Sequence, residues 1–219
     1  MAKLKAGVLI SGRGSNLLAL LEACAAPDFP AEIALVVSNR ADAPGLAHAQ
    51  RFGVPARVLA HGDHPDRESF DRIVSAALEA EGVELVCLAG FMRIFSPWFP
   101  AHWANRIINV HPSLLPSFKG LRVQQQAIDA GTRISGATVH LVTHDLDAGP
   151  IVAQAAVPVH QGDTPDSLSA RVLRAEHDLY PLVLRWFGER RVRIVAVPGK
   201  PDRVLIDGIA PDATLLWRP

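Results

Sequence analysis

Ala6-Gly7-Val8-Leu9-Ile10-Ser11-Gly12-Arg13-Gly14-Ser15-Asn16, followed by Leu17 to Cys24, decides the fold. Ala6 to Ser11 is an apolar run that ends in glycines, as a buried strand does. Leu17 to Cys24 repeats apolar residues at helical spacing. Strand, glycine loop and helix follow one another without a linker, which is how a βα unit opens.

The same alternation continues outward. Ile33 to Ser38 reads as a second strand, Pro44 to Phe52 as a short helix stopped by Gly53, and Val54 to Leu59 as a third strand. Asp66 to Glu81 reads as a helix with Phe70, Ile73, Val74, Ala77 and Leu78 on one side. Leu85 to Ala89 and Arg106 to Val110 complete five strands. This order predicts an α/β fold: a mostly parallel central sheet with helices on both faces. Such sheets bind ligands beyond the carboxyl ends of their strands, and Gly12, Gly90 and His111 all lie just past strand ends.

The second half differs. Thr138 to Val142 and Ile151 to Val157 are strand-like, separated by the turn cluster Asp145-Leu146-Asp147-Ala148-Gly149-Pro150. Thr164-Pro165 opens a long helix, with threonine as cap. Its apolar stripe runs Leu168, Val172, Ala175, Leu179, Leu182 and Trp186, with a kink expected at Pro181. The tail from Arg191 alternates and turns at Pro198-Gly199, the pattern of a terminal strand hairpin. The chain is read as a single domain over 1–219, with a phosphate-binding half over 1–104 and a catalytic half over 105–219.

Composition limits the partners. Lys and Arg number 22 and Asp and Glu 22, so there is no basic excess to hold nucleic acid. A local pocket for one phosphate stays open. No stretch approaches the ~18 apolar residues of a membrane span, and the start does not resemble a signal peptide. Cys24 and Cys87 form no Cys-x-x-Cys pair and read as buried free thiols of a reducing compartment, so the cytoplasm is expected.

The glycine loop suits an anion, because glycines turn backbone amides toward a ligand and the helix N-terminus adds partial positive charge. It is no Walker loop, since no Gly-Lys-Ser/Thr follows. The alternative is a tight turn with Ser15 as helix cap. Asn109-Val110-His111-Pro112-Ser113-Leu114-Leu115-Pro116 carries the chemistry. Strand period two puts Asn109 and His111 on one side. An amide N–H and an imidazolium N–H aimed at one oxygen suit acyl-type transfer, where negative charge builds on a carbonyl oxygen. A nearby carboxylate would stabilise the charged ring and orient it. Asp147 is the candidate and Asp145 the rival; each of these residues also has a plain structural reading.

Other features are weaker. His61-Gly62-Asp63-His64 has metal-ligand residue types but no second cluster, and no metal is expected. His48, His102, His140, His160 and His177 read as surface or core-edge residues. Glu176 flanks the long helix's stripe and reads by default as a solvated acid. Phe91-Met92-Arg93-Ile94-Phe95 either walls a pocket for a flat ring or is core leading to Pro97.

Together, Leu9-Ile10-Ser11-Gly12-Arg13-Gly14-Ser15-Asn16, Leu88-Ala89-Gly90-Phe91-Met92-Arg93-Ile94, Asn109 to Pro116 and Leu146-Asp147-Ala148-Gly149-Pro150 resemble the folate-dependent phosphoribosylglycinamide formyltransferase family. The likeness runs from Val8 to about Phe187. It implies a Rossmann-like formyltransferase fold and the trio Asn109, His111 and Asp147 as catalytic. Gly14, Ser15, Asn16 and Glu176 would bind the ribonucleotide. Arg67, Met92, Arg93, Ile94, Phe95, Asn109, Thr143, His144, Asp145, Leu146 and Asp147 would bind the folate. Arg13, Leu173, Gln124 and Gln126 depart from the pattern; Leu173 stands where the family has a polar substrate contact.

The implied reaction moves a formyl group from 10-formyltetrahydrofolate, a cosubstrate, to glycinamide ribonucleotide in purine synthesis. The partners are these small molecules, with no nucleic acid and no membrane, on a monomer or homodimer. The alternative is a formyltetrahydrofolate hydrolase, a family with an extra N-terminal regulatory domain that a first strand at Ala6 leaves no room for. Methionyl-tRNA formyltransferase needs a further C-terminal domain. A phosphate-binding sensor on the same fold would not need all three of Asn109, His111 and Asp147.

Overall fold

The computed structural model describes residues 2–197, 199, 202–209 and the backbone of 215–217. It divides into two compact units, Met1–Ile108 with Phe187–Glu189, and Asn109–Trp186 with Arg190–Pro219.

The first unit holds β1 (Leu4–Ile10), α1 (Ser15–Cys24), β2 (Ala31–Ser38), α2 (Leu46–Arg51), β3 (Ala56–Val58), α3 (Arg67–Ala80), β4 (Leu85–Leu88), α4 (Trp98–His102) and the start of β5 (Ile107–His111). Its strands lie in the order β4-β1-β2-β3, and every pair is parallel. From Ala6 on, β1 is buried on both faces, as its unbroken apolar run requires. α3 starts where Asp66 accepts a hydrogen bond from the Ser69 amide at 2.7 Å. Phe70, Val74, Ala77 and Leu78 are buried as expected, but Ile73 is 40% exposed, because it falls one position to the side of the stripe.

The second unit holds the end of β5, α5 (Val123–Asp129), β6 (Ile134–Leu141), β7 (Ile151–Pro158), α6 (Pro165–Gly188), β8 (Val192–Val195), β9 (Arg203–Ile206) and β10 (Leu215–Trp217). Strand order is β10-β7-β6-β5, with β6 and β7 antiparallel and β10 parallel to β7. The α/β class and mostly parallel sheet are thus as expected.

Several boundaries differ from the sequence reading. β6 begins at Ile134 rather than Thr138. Gly136 looks like a strand breaker in sequence, yet a side chain there would overlap the Ala155 carbonyl on β7, so glycine is what permits the pairing. α6 is one assigned helix of 24 residues running through Pro181. Its cap is as read, with the Ser167 amide donating to Thr164 Oγ1 at 3.2 Å. Past Pro181 the buried residues are Val183, Leu184 and Trp186, while Leu182 is only half-buried. β8 and β9 form the expected antiparallel hairpin; Pro198, read as its turn, lies outside the described residues. No helix among the described residues is long and apolar enough to cross a membrane.

Candidate active site

β5 delivers Asn109 and His111, and the turn after β6 delivers Asp147 in a left-handed conformation, φ 48°. His111 and Asp147 side chains are 6% and 8% exposed, with Nδ1 and Oδ2 3.5 Å apart. Asp147 is therefore the carboxylate at the ring. Asp145 is exposed on the same loop, where its carbonyl accepts from Thr143 Oγ1 at 3.4 Å.

The His111 ring is oriented from its far side. Nε2 lies 2.9 Å from the Phe118 carbonyl, and a carbonyl only accepts, so Nε2 carries a hydrogen. Nδ1 is then the nitrogen that faces Asp147. The 3.5 Å separation exceeds the ~2.7–2.9 Å of a charge-assisted bond, so the two groups are close but not directly bonded. The Gly120 amide donates to Asp147 Oδ2 at 3.1 Å and holds the carboxylate. The loop after β5 thus orients both members of the pair, one by a carbonyl and one by an amide.

A residue read as core-edge joins them. His140, on β6, is 2% exposed. Its Nδ1 donates to the Leu141 carbonyl at 2.9 Å, and burial pushes its pKa below the ordinary imidazole value. A neutral ring with hydrogen on Nδ1 presents a bare Nε2, which accepts from Asn109 Nδ2 at 3.2 Å and lies 3.8 Å from Asp147 Oδ1. One Asn109 amino hydrogen is thereby taken, and the second is left over. Sequence carried one signal for His140: it stands in an apolar strand-like run, at an alternate position.

In the first unit, the glycine loop does not use Ser15 as a cap. Gly14 takes the capping position with φ 71°, and no side chain caps α1. A side chain at Gly14 would come within 2.7 Å of Gly45 Cα, and the Gly45 amide donates to the Gly12 carbonyl at 3.0 Å. This close approach of two glycines shapes the loop. The α1 N-terminus it leaves, with its positive dipole end and no competing side-chain cap, suits an anion.

Phe91 to Ser96 belongs to no helix or strand, and the exposure of its side chains alternates. Met92 and Ile94 are 71% and 62% exposed. Phe91 and Phe95 stack at 5.4 Å, and the Arg93 guanidinium lies 5.0 Å over the Phe70 ring. The core reading holds for the inward face, and the outward face leaves Met92 and Ile94 to solvent. Arg67 is exposed, beside an open depression also lined by Ser69, Arg72 and Ser96. Glu176 is 6% exposed on α6, so the solvated-acid reading is wrong: the stripe is wide enough to include it.

A family model described as Formyl transferase matches residues 4–184. This chain belongs to the formyl transferase family. It is 44% identical to the Escherichia coli phosphoribosylglycinamide formyltransferase, covering 85% of this chain and 88% of that one. The crystal structure of phosphoribosylglycinamide formyltransferase from Anaplasma phagocytophilum superposes with a TM-score of 0.89 at 43% identity, covering 98% of each chain. The chain is also 48% identical to the Gallus gallus trifunctional purine biosynthetic protein adenosine-3, over 88% of this chain but only 19% of that protein's length.

Within the formyl transferase framework, other nucleophiles find no support. Burial pushes the Cys24 thiol up to about 12, far from thiolate chemistry, and Cys87 is buried in β4. Ser113 Oγ donates to the Ser117 carbonyl at 2.7 Å, a turn bond. His61 and His64 flank Phe70, with His61 Nδ1 3.4 Å from Asn39 Nδ2, and among the described residues no cluster of three or more His, Cys, Asp or Glu could hold a metal.

Proposed function

We propose that this chain transfers the formyl group of 10-formyltetrahydrofolate to the amine of 5'-phosphoribosylglycinamide, as one formyltransferase domain acting in purine synthesis. The observation that supports it most is the clustering of Asn109, His111 and Asp147, with His111 tied by Nε2 so that Nδ1 faces the carboxylate.

The substrate amine attacks the formyl carbon, a C–N bond forms, and the carbonyl electron pair moves to oxygen. The second Asn109 amino hydrogen and the Nδ1–H of protonated His111 donate to that oxyanion; losing one such donor typically costs ~10²–10³ in rate. Asp147 stabilises the imidazolium. Through a water it takes the proton that the attacking nitrogen must lose and returns it to N10 of the folate. The C–N10 bond breaks, and formylglycinamide ribonucleotide and tetrahydrofolate leave.

Gly14, Ser15 and Asn16 hold the ribonucleotide phosphate and Glu176 the glycinamide part. Arg67, Met92 to Phe95 and Thr143 to Asp147 hold the folate. Of these, Met92 and Ile94 offer side chains, while Arg93 and Phe95 contribute backbone, because their side chains are engaged elsewhere. The enzyme needs no metal and works on small molecules in the cytoplasm as a monomer or homodimer. Absorbance change is measured on mixing enzyme, 10-formyl folate and glycinamide ribonucleotide, omitting each in turn. Folate deformylation that requires the ribonucleotide is expected. Deformylation without it points to a hydrolase, and none at all overturns the reading.

A further inference from the structure

The stretch Phe91–Ser96 is fastened at both ends by buried polar side chains that the catalytic chemistry does not use. At one end the Met92 amide donates to Ser11 Oγ at 2.8 Å, and that hydroxyl donates to Asn39 Oδ1 at 2.6 Å. At the other end the Ser96 amide donates to Asp71 Oδ2 at 2.6 Å. Ser11 is 8% exposed, Asn39 5% and Asp71 2%. Between the two fastenings the inward side chains are held as well: Phe95 stacks on Phe99 at 4.3 Å, and Arg93 lies over Phe70, the residue next to Asp71.

Burying a carboxylate costs several kcal/mol unless it is bonded, and burial pushes the Asp71 carboxyl above its usual range. A loop whose shape did not matter could expose its amides to water instead. The stretch with these two fastenings also turns two large apolar side chains, Met92 and Ile94, outward.

We propose that Ser11 and Asp71 are positioning residues for the formyl donor: by fixing the amides of Met92 and Ser96, they hold the strap that presents Met92 and Ile94 to the folate. This rests on the reading of Met92 to Phe95 as folate-binding. Ser11 directly follows β1 and precedes Gly12 of the glycine loop, so one hydroxyl ties the start of that loop to the donor's wall.

The test uses the full chain, with steady-state kinetics in both substrates and a thermal melt of every variant. In Ser11→Ala and in Asp71→Ala, the KM for 10-formyltetrahydrofolate is expected to rise about tenfold, the scale of one lost buried hydrogen bond. The kcat and the ribonucleotide KM should stay within about threefold, a split that general destabilisation would not give. Ser11→Thr and Asp71→Asn, which keep a hydroxyl and an acceptor oxygen, should return the folate KM to near wild type. Met92→Asp tests the underlying reading and should raise the folate KM on its own. If Met92→Asp raises it and the alanine variants do not, or if they lower kcat instead, the positioning role is overturned alone. An unchanged folate KM in Met92→Asp removes both. If Asp71→Ala does not fold, the comparison of Ser11→Ala with Ser11→Thr decides.

Discussion

Asn109 donates a carboxamide N–H to Nε2 of His140 at 3.2 Å, and His140 donates from Nδ1 to the Leu141 carbonyl at 2.9 Å. The chain of bonds has one direction, because the carbonyl only accepts. It fixes the flip of the Asn109 amide, with the amino group turned toward His140. His140→Ala removes the fixing bond without touching the trio. One orienting bond is worth roughly 0.5–1.5 kcal/mol, so kcat should fall about 2–10-fold, with the ribonucleotide KM unchanged. Steady-state kinetics check this.

His140 also sets a pH limit. Burial holds its pKa below the ordinary imidazole value, so the neutral ring contributes stability at pH above ~6.5 that is lost as pH falls through the depressed value. Protonation puts a hydrogen on Nε2 and abolishes the acceptor for Asn109. As pH falls through that depressed value, kcat should therefore fall, and in His140→Ala this component of the fall should be missing. A pH profile of both proteins measures it; superimposable acid limbs would count against the role.

His111→Ala and Asp147→Asn should each lower turnover by at least ~10², while melting within a few degrees of wild type. The asparagine is a clean probe. Residue 147 has φ 48°, and Asn tolerates that region as Asp does. It also keeps an oxygen for the Gly120 amide but no charge for the imidazolium. Near-normal turnover in purified Asp147→Asn removes the carboxylate from the mechanism.

How much of this was legible in sequence follows from what each signal encodes. The run Ala6 to Ser11 and the helix after it were legible because strong periodicity and glycines coincide there. The closeness of His111 and Asp147 was legible because a short polar motif interrupts the apolar run of β5 and a glycine-proline turn follows β6. The amphipathic stripe of α3 was legible, but Ile73 was misplaced, since period counting does not see the width of the packing face. α4, over Trp98–His102, was missed because it is only five residues long and starts after Pro97. α5, Val123–Asp129, was missed because it is glutamine-rich and barely amphipathic. β10 is three residues, and nothing local says that it pairs with β7. His140 was misjudged because a lone histidine carries no sequence mark of what lies across the sheet.

The turn before α6 makes a separate prediction about stability. Asp163 accepts two bonds from the Arg171 guanidinium, at 2.8 and 3.0 Å, and also bonds Ser167 Oγ and the His160 amide. Chiefly through Arg171, its carboxyl is held well below the usual range. Its stabilising effect is present above the unfolded pKa near 4 and lost as pH falls toward the folded value. Asp163→Asn should cost about 1–3 kcal/mol at pH 7 and somewhat less at pH 3, where the unfolded carboxyl is mostly protonated but the folded one is still charged. Denaturant unfolding at the two pH values measures it; an equal difference at both would mean that charge is not the cause.

The turn that carries Asp147 depends on a residue with no chemistry. A side chain at Gly149 would overlap the Leu141 carbonyl oxygen and press Thr143 Cγ2 at 3.2 Å. That oxygen belongs to β6, which also carries His140, so the obstacle is backbone that cannot swing away. Gly149→Ala must therefore displace the Asp145–Pro150 turn, and the carboxylate moves with it. The expected result is a loss of at least ~2 kcal/mol in stability together with a fall in kcat resembling that of Asp147→Asn. Gly62→Ala is the matched control: it too adds one methyl to a loop glycine, but with nothing within 4 Å it should change stability by less than ~0.5 kcal/mol. Wild-type turnover in a folded Gly149→Ala would mean that the turn has another arrangement that still brings Asp147 to the imidazole.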